Sequence, residues 1–237
     1  MCCIFRIVRC PSGNLYYSLS KMNGIFITGT DTDVGKTFIS ALLVKAWGSN
    51  YWKPIQTGLN SCQVDTDTVK YITGLSDSHF EPPHIELQEP LSPWRASISE
   101  NTSISIDEFE IPRRFKQSNR PLVLEGAGGL FVPINETMIT TDLIQKLDFP
   151  VILVARSGLG TINHTLLSIE HLRSRKIKIL GIVLNGKLNP DNAAAIRHFA
   201  KDIPIILQVP ELDLALTSID SLLPLVPKLE FLYQVNM

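Results

Sequence analysis

Residues 24–37 read GIFITGTDTDVGKT, and this stretch decides the fold. An apolar, strand-like segment at 24–28 enters a glycine-containing turn, and a helix-like segment follows at 37–47. This order predicts a phosphate-binding loop, because backbone N–H groups and the positive end of the helix then face an anion. Lys36 can reach the outer phosphates, and the hydroxyl of Thr37 is expected to bind Mg²⁺.

The loop departs from the strict pattern G-x-x-x-x-G-K-[ST]. Thr30 occupies the position of the first glycine, and Gly29 lies one position earlier. A G-K-T triplet alone is a weak signal. The strand before it and the helix after it are what favour nucleotide binding here.

Composition narrows the class of protein. The chain has 237 residues, 44% hydrophobic and 19% charged, which is enough to bury one sizeable core. A formal net charge of -1 gives no support for binding nucleic acid or a membrane surface through bulk electrostatics. Apolar runs such as 151–155 have the length of strands, not the roughly 20 residues of a membrane span. We therefore expect a cytoplasmic protein with a single domain over residues 22–237.

The cysteines do not form a disulfide framework, because three of the four lie in the first ten residues and only Cys62 lies in the body of the chain. Residues 1–21 also lack the layout of a secretory signal, since arginines interrupt their short apolar stretch. We interpret them as a disordered or untranslated extension before a true start at Met22. Lipidation of Cys2 and Cys3 is the weaker alternative.

From Met22 onward, short apolar strands alternate with helices. This predicts an α/β fold of the P-loop NTPase type, with three layers and a mostly parallel sheet covered by helices on both faces. The predicted strands are 24–28, 50–54, 121–125, 150–155, 177–184 and 203–209. The predicted helices are 37–47, 140–148, 161–174 and 190–201. Residues 74–105 show no clear period and are expected to form a long functional loop over the site.

Lys53 opens the second motif, KPIQTG at 53–58. A helix from Thr37 rises about 16 Å away from the loop, and the extended residues 48–52 return by about the same distance at ~3.3 Å each. Lys53 is therefore predicted to lie beside the phosphates, facing the transferred phosphoryl group or an anionic substrate. A solvated lysine at a strand end is the alternative.

Two acidic residues are candidates for holding Mg²⁺. Glu125 ends a predicted strand, so its carboxylate is expected at the carboxyl edge of the sheet, where metal and phosphate bind in such folds. The glycines that follow it allow close approach of the backbone to a ligand. Asp67 is the second candidate. The alternative for this segment is that Asp65 or Thr66 only caps the short helix through Ile72.

After Met22 the chain resembles the dethiobiotin synthetases over nearly its whole length. The motifs that carry the resemblance are GTDTDVGKT at 29–37, KPIQTG at 53–58, EPLSP at 89–93, EGAGG at 125–129 and LGTINH at 159–164. The resemblance implies ATP- and Mg²⁺-dependent conversion of 7,8-diaminopelargonate and CO₂ to dethiobiotin, through a carbamate and a carbamic-phosphoric anhydride. It also implies a homodimer with the active site at the interface.

The resemblance also implies roles for individual residues. Lys36 and Lys53 would be catalytic, Thr57 would contact the diamine, and the helix start Gly160, Thr161, Ile162 and Asn163 would receive the substrate carboxylate from a neighbouring subunit. Thr37, Asp67 and Glu125 would hold Mg²⁺. The implied nucleotide contacts are Asp33, Val34, Gly35, Lys36, Thr37, Phe38, Asp67, Glu125, Gly126, Ala127, Gly128, Asn185, Gly186, Val209, Pro210 and Glu211. From the residues alone, Asn163 is a first-turn polar residue and Asn185-Gly186 a turn.

Some features depart from the family pattern. The stretch between Thr37 and Lys53 is about five residues shorter than usual in the family, Trp94-Arg95 follows a Ser-Pro where the family often has His, and residues 222–237 do not align clearly. Two other classes of protein are less consistent with the sequence. A partitioning ATPase would carry an early lysine in its glycine loop, and a cobyrinic-acid-type amidoligase would carry a glutaminase domain with a nucleophilic cysteine.

Overall fold

A computed structural model describes residues 23–60, 64–212 and 218–234. The predictions about residues 1–21, Met22 and Cys62 lie outside these residues. The strands are β1 Gly24–Gly29, β2 Asn50–Trp52, β3 Ile55–Gln56, β4 Phe80–Glu81, β5 Ile85–Glu86, β6 Leu122–Gly129, β7 Val151–Arg156, β8 Ile179–Asn185 and β9 Ile205–Val209. The α-helices are α1 Lys36–Trp47, α2 Asp65–Thr73, α3 Pro93–Ser99, α4 Arg113–Lys116, α5 Thr140–Leu147, α6 Thr161–Ser174, α7 Pro190–Phe199 and α8 Leu229–Gln234.

Seven strands form the main sheet in the order β4-β2-β6-β1-β7-β8-β9. Every pairing between them is parallel, so their carboxyl ends lie along one edge. β3 and β5 form a separate parallel pair. The predicted α/β fold with a parallel sheet is confirmed.

The two faces of the sheet carry separate hydrophobic cores. Successive residues of β1 alternate between them, since Phe26 packs in one core and Ile25 and Ile27 pack in the other. One core includes buried residues of α3, α5, α6 and α7, and the second includes those of α1 and α8. A strand buried on both faces must be apolar at every position, which is why β1 and β7 read as continuous hydrophobic runs.

The predicted strands and long helices are confirmed, with ends that differ by at most two residues except at β6, which continues four residues past its predicted end at 125. Within α6, Ile169 and Leu172 are buried and Ile162 is partly buried, so one apolar face of the helix packs against the first core. The side chain of Asn189 caps α7 by accepting a hydrogen bond from the N–H of Asn192 at 3.0 Å. This cap and Pro190 at the first helical position set where the helix begins.

The prediction of a long loop at 74–105 is wrong in part. This segment contains β4, β5, α3 and a 3₁₀ turn at Asp77–His79. β4 forms the edge of the main sheet beside β2. Two-residue strands are held by their neighbours and are too short to show a period in the sequence.

Residues 219–234 pack against the second core. A 3₁₀ segment at Ile219–Leu225 precedes α8, and Leu222, Leu229 and Leu232 are buried. The hydroxyl of Tyr233 donates a hydrogen bond to the carbonyl of Gly24 at the start of β1. Residues 222–234, which do not align clearly with the family pattern, are therefore part of the packed fold. Across the three described ranges, no helix has the length and apolar character needed to cross a membrane.

Candidate functional site

The loop between β1 and α1 has the backbone shape of an anion site. Gly35, directly before the helix, has φ 92°, a left-handed conformation that favours glycine. A Cβ at this position would lie 2.1 Å from Nδ2 of Asn185. Within the described residues, no side chain caps the start of α1 and its first turn is free of acidic residues. Its N–H groups and positive dipole end are thus available to a phosphate.

Lys36 lies back over this loop. Its Nζ donates a hydrogen bond to the carbonyl of Asp31 at 3.0 Å, and the residue is buried. Burial lowers the pKa of Lys36, and the ammonium of Lys53 acts in the same direction, whereas Glu125 and Asp65 oppose it. Contact with an additional anion would stabilise the charged form of this buried lysine, whose neighbours include both acidic residues and another cation.

Lys53 reaches the same place from β2. The pairing of β2 with β6 sets Trp52 beside Leu124, so the residues that follow, Lys53 and Glu125, emerge together at the carboxyl edge. The Lys53 ammonium forms an ion pair with Asp65 and lies 3.4 Å from Oε1 of Glu125. The predicted return of Lys53 to the phosphate-binding end of the sheet is confirmed, and the solvated alternative is wrong because Lys53 is 6% exposed.

Glu125 is the fully buried anion at the centre of the site. Its Oε1 accepts a hydrogen bond from Thr37 Oγ1 at 2.9 Å, and its Oε2 accepts one from the Tyr51 hydroxyl at 2.9 Å. Thr37 Oγ1 also lies 3.0 Å from Oδ1 of Asp65. Oxygens from Thr37, Asp65 and Glu125 therefore converge on one point, and such hard oxygen donors are the ligands that Mg²⁺ prefers.

The ionisation of the site follows from this packing. Burial acts to lower the pKa of Lys53, but Glu125 and Asp65 together outweigh it and the net pKa is raised. Burial, the charges of Glu125 and Asp65 and the hydrogen bond to Glu125 raise the pKa of Tyr51 well above its ordinary value. At neutral pH Lys53 is thus a cation and Tyr51 a neutral hydrogen-bond donor.

These groups line a cavity of about 270 Å³. Its walls are Thr32, Asp33, Gly35, Lys36, Thr37, Lys53, Gln56, Thr57, Asp65, Glu125, Ala127 and Gly128. A larger cavity of about 740 Å³ lies at the opposite edge of the sheet, between residues 144–150 and 175–178, and is lined by none of the predicted site residues. The chemistry of the walls, and not the size, identifies the smaller cavity as the candidate site.

The choice between the two aspartates on α2 must be corrected. Asp65 lines the cavity and contacts Lys53 and Thr37, whereas Asp67 lines a separate cavity of about 300 Å³ with Lys70 and Asp77. Residues two positions apart on a helix point to different faces, so only one of this pair can reach the site. The alternative that Asp65 or Thr66 caps this helix is also wrong, since the N-cap residue is Val64.

Three residues that contact the candidate site were not predicted to belong to it: Asp65, Gln56 and Tyr51. Gln56 links the second motif to α2, because its Oε1 accepts a hydrogen bond from the N–H of Asp65 at 3.2 Å and its Nε2 donates one to the carbonyl of Thr57 at 2.8 Å. Its place inside KPIQTG was the available signal. Tyr51 gave no signal, because an aromatic residue in a strand normally indicates core.

The remaining predicted nucleotide contacts do not line this cavity. Asn185 ends β8 behind the loop, where its Nδ2 donates a hydrogen bond to the carbonyl of Val34 at 3.0 Å. Gly186 and Val209 are joined by a backbone hydrogen bond of 3.0 Å, and Pro210 and Glu211 follow. Gly126 is buried, and Phe38 is partly buried on α1 with its side chain against the second core.

The helix start at 160–163 lies at the carboxyl edge, after β7, but outside the walls of the Lys36 cavity. Gly160 is the N-cap residue of α6 with φ 89°, Thr161 is buried and Asn163 is exposed. The neighbouring Leu159 is fully exposed. One chain therefore does not bring these residues together with its own lysines.

Comparison with known proteins gives three related findings. A family model described as an AAA domain matches residues 23–217. The chain is 50% identical over 198 residues to the "Biotin biosynthesis bifunctional protein BioCD" of Bordetella avium, a match that covers 84% of this chain and 42% of that protein. It is 48% identical over 178 residues to the "ATP-dependent dethiobiotin synthetase BioD" of Paramagnetospirillum magneticum, which covers 75% of this chain and 83% of that protein.

The chain thus spans less than half of the bifunctional relative. Among solved structures, the cell division ATPase MinD of Pyrococcus furiosus superposes with a TM-score of 0.49 at 14% sequence identity, covering 81% of this chain and 84% of that one.

Proposed function

The chain belongs to the family of ATP-dependent dethiobiotin synthetases, and we propose that it joins CO₂ to the two amines of 7,8-diaminopelargonate. The names of its relatives support an ATP-dependent enzyme of biotin biosynthesis. The observation that carries the proposed chemistry is the meeting of Lys36, Lys53 and Glu125 in one cavity.

The proposed reaction has three steps. One amine attacks CO₂ and loses a proton, which gives a carbamate. A carbamate oxygen attacks the γ-phosphorus of ATP and ADP leaves, which gives a mixed anhydride. The second amine then attacks the carbonyl carbon and loses a proton, and phosphate leaves as the ureido ring closes.

The difficult encounter is the second step, because a carbamate and a triphosphate are both anions. Lys36 and Lys53 offset this repulsion from two sides, one on the phosphate loop and one at the end of β2. Thr57 lies on the wall of the same cavity, which supports its proposed contact with the diamine. The side chains act by position and charge, and no covalent enzyme intermediate is required.

A magnesium ion fits the oxygen donors of Thr37, Asp65 and Glu125. Among the described residues there is no group of three or more His, Cys, Asp or Glu that could hold a metal. This agrees with a Mg²⁺ that takes one or two carboxylates, a hydroxyl and substrate phosphates. When bound, the ion would neutralise charge on the phosphates.

The adenine end of ATP is assigned to Asn185, Gly186 and residues 209–211. The amide of Asn185 can donate and accept hydrogen bonds with a base edge, and it already contacts the phosphate loop. A cytoplasmic location is part of the proposal, because the reaction consumes ATP.

We further propose a homodimer that completes the site. Phe131 and Leu167 are 66% and 62% exposed and line a cavity of about 660 Å³ beside the phosphate loop. A second copy covering these side chains would bring the helix start at 160–163, whose N–H groups suit a carboxylate, to its neighbour's cavity.

Leu167→Glu is expected to shift the sedimentation coefficient to that of a monomer and to abolish activity. A monomeric wild-type protein that is fully active would exclude this part of the proposal.

The test of the reaction is a mass-spectrometric assay with 7,8-diaminopelargonate, bicarbonate and Mg-ATP. Dethiobiotin should form in step with ADP, and Lys36→Ala and Lys53→Ala should each abolish it. Lys201→Ala, which removes an exposed lysine after α7, is the matched control and should be unaffected. ATP turnover without dethiobiotin would keep the phosphate loop and overturn the proposed substrate.

A further inference from the structure

Tyr51 is a polar side chain inside an apolar core. It lies at the middle of β2 and is fully buried, with its ring packed edge-on against Phe80 at a centroid distance of 6.3 Å. The ring alone explains the packing, and phenylalanine would pack as well. The hydroxyl therefore needs a separate explanation, because burying it has a cost unless it is hydrogen-bonded.

The partner of that hydroxyl is Oε2 of Glu125, 2.9 Å away. The two oxygens of Glu125 are thus used differently. Oε1 faces Thr37 at 2.9 Å and Lys53 at 3.4 Å, on the side of the cavity, and Oε2 faces the core. Since Glu125 has no exposed surface, water cannot replace either contact.

We propose that Tyr51 is a positioning residue for the reaction: its hydroxyl holds Oε2 of Glu125 in the core and thereby presents Oε1 to Thr37, Lys53 and the metal. This inference rests on the proposed role of Glu125 in holding Mg²⁺. Tyr51 acts through Glu125 and contacts no substrate.

The bond orients the carboxylate because Oε2 has little alternative. If Tyr51 lost its hydroxyl, a charged oxygen would face the ring of residue 51 without a donor. The carboxylate would gain by rotating both oxygens toward Lys53 and Thr37, which would occupy the donors and change the direction of Oε1. A buried hydrogen bond to a charged group has an effect large enough to be measured in binding.

The experiment measures ADP binding by calorimetry with and without Mg²⁺, using the wild type, Tyr51→Phe and the control Tyr233→Phe. In Tyr51→Phe the affinity without Mg²⁺ should be unchanged, and the gain in affinity given by Mg²⁺ should fall by about tenfold. The value of kcat should fall by about the same factor, with KM for the diamine within about twofold. Tyr233→Phe removes a partly buried hydroxyl that contacts Gly24, far from the site, and should leave the Mg²⁺ gain, kcat and KM unchanged.

A double-mutant comparison separates positioning from a loss of fold. In Glu125→Gln the buried charge is gone, so adding Tyr51→Phe should not change the Mg²⁺ dependence further. If Tyr51→Phe alone does not fold, comparing Glu125→Gln with the double variant still tests whether Tyr51 affects Mg²⁺ binding independently of Glu125. An unchanged Mg²⁺ gain in Tyr51→Phe, or an added loss in the double variant, would overturn the inference. If Glu125→Gln itself leaves the Mg²⁺ gain unchanged, the proposed metal role of Glu125 has failed instead.

Discussion

Replacing Lys53 by methionine is expected to destabilise the folded protein, because it leaves the buried carboxylate of Glu125 without the ammonium 3.4 Å away. At that distance and an effective dielectric constant of about 20, the attraction is about 5 kcal/mol. Part of this is offset, since the ammonium no longer has to be desolvated. Breaking a buried ion pair by removing one partner costs about 3–5 kcal/mol.

Two contacts favour the lower end of that range. Tyr51 and Thr37 still donate hydrogen bonds to Glu125, and Asp65, at 26% side-chain exposure, regains water. Removing Lys53 also relieves its electrostatic repulsion of Lys36. The charge of Glu125, which remains, affects the pKa of Lys36 more strongly than the charge of Lys53 does. We therefore expect a loss of about 3 kcal/mol in the free energy of unfolding, or a decrease in Tm of roughly 6–12 °C for a chain of this size.

The assay is urea unfolding followed by circular dichroism at pH 7, with the wild type, Lys53→Met and Lys53→Met/Glu125→Gln. The double variant has no buried charge from this pair and should recover most of the lost stability. Lys201→Met serves as the surface control. A loss below about 1 kcal/mol in Lys53→Met, or a double variant no more stable than the single one, would refute the argument that Glu125 depends on Lys53.

Three further predictions concern Gly35, Tyr233 and His171. Gly35→Ala should abolish ADP binding in calorimetry, since its Cβ would lie 2.1 Å from Asn185 Nδ2 and the residue has φ 92°; normal binding would contradict this. Tyr233→Phe should lower Tm by about 2–4 °C through the lost contact to Gly24 without changing kcat, and an unchanged Tm would show that this contact adds nothing. The imidazole of His171 should titrate below 6.5 by NMR, because burial and Arg175 lower its pKa. The unfolded chain then binds more protons just below pH 6.5, so stability should fall as pH falls through this window, and less so in His171→Gln.

The sequence was sufficient for the parts of the fold that repeat a pattern. β1, β7 and β8 are buried on both faces and read as apolar runs, and the phosphate loop is a local motif. Lys53 could be placed because helix rise and strand rise fix how far the chain travels. The fold and the meeting of the two lysines were therefore predictable.

The remaining site residues depend on contacts that no local pattern carries. Asp65 and Asp67 are both acidic and lie two positions apart, and only the docking of α2 decides which one faces Thr37. Tyr51 differs from a core residue by one hydroxyl, whose partner is distant in sequence. β4 is held in strand conformation by its parallel pairing with β2. Such features follow from tertiary packing, which a single sequence does not display.

The cavity takes its walls from the phosphate loop with the start of α1, the segment after β2, the first turn of α2 and the end of β6. These four parts meet only when the chain is folded, so a nucleotide that spans them has no equivalent site on the unfolded chain. By mass action, ligand at 100 times its Kd adds about 2.7 kcal/mol to the free energy of unfolding. The enzyme's substrate is thus also its folding ligand, and the lifetime of the protein in the cell should follow the supply of ATP.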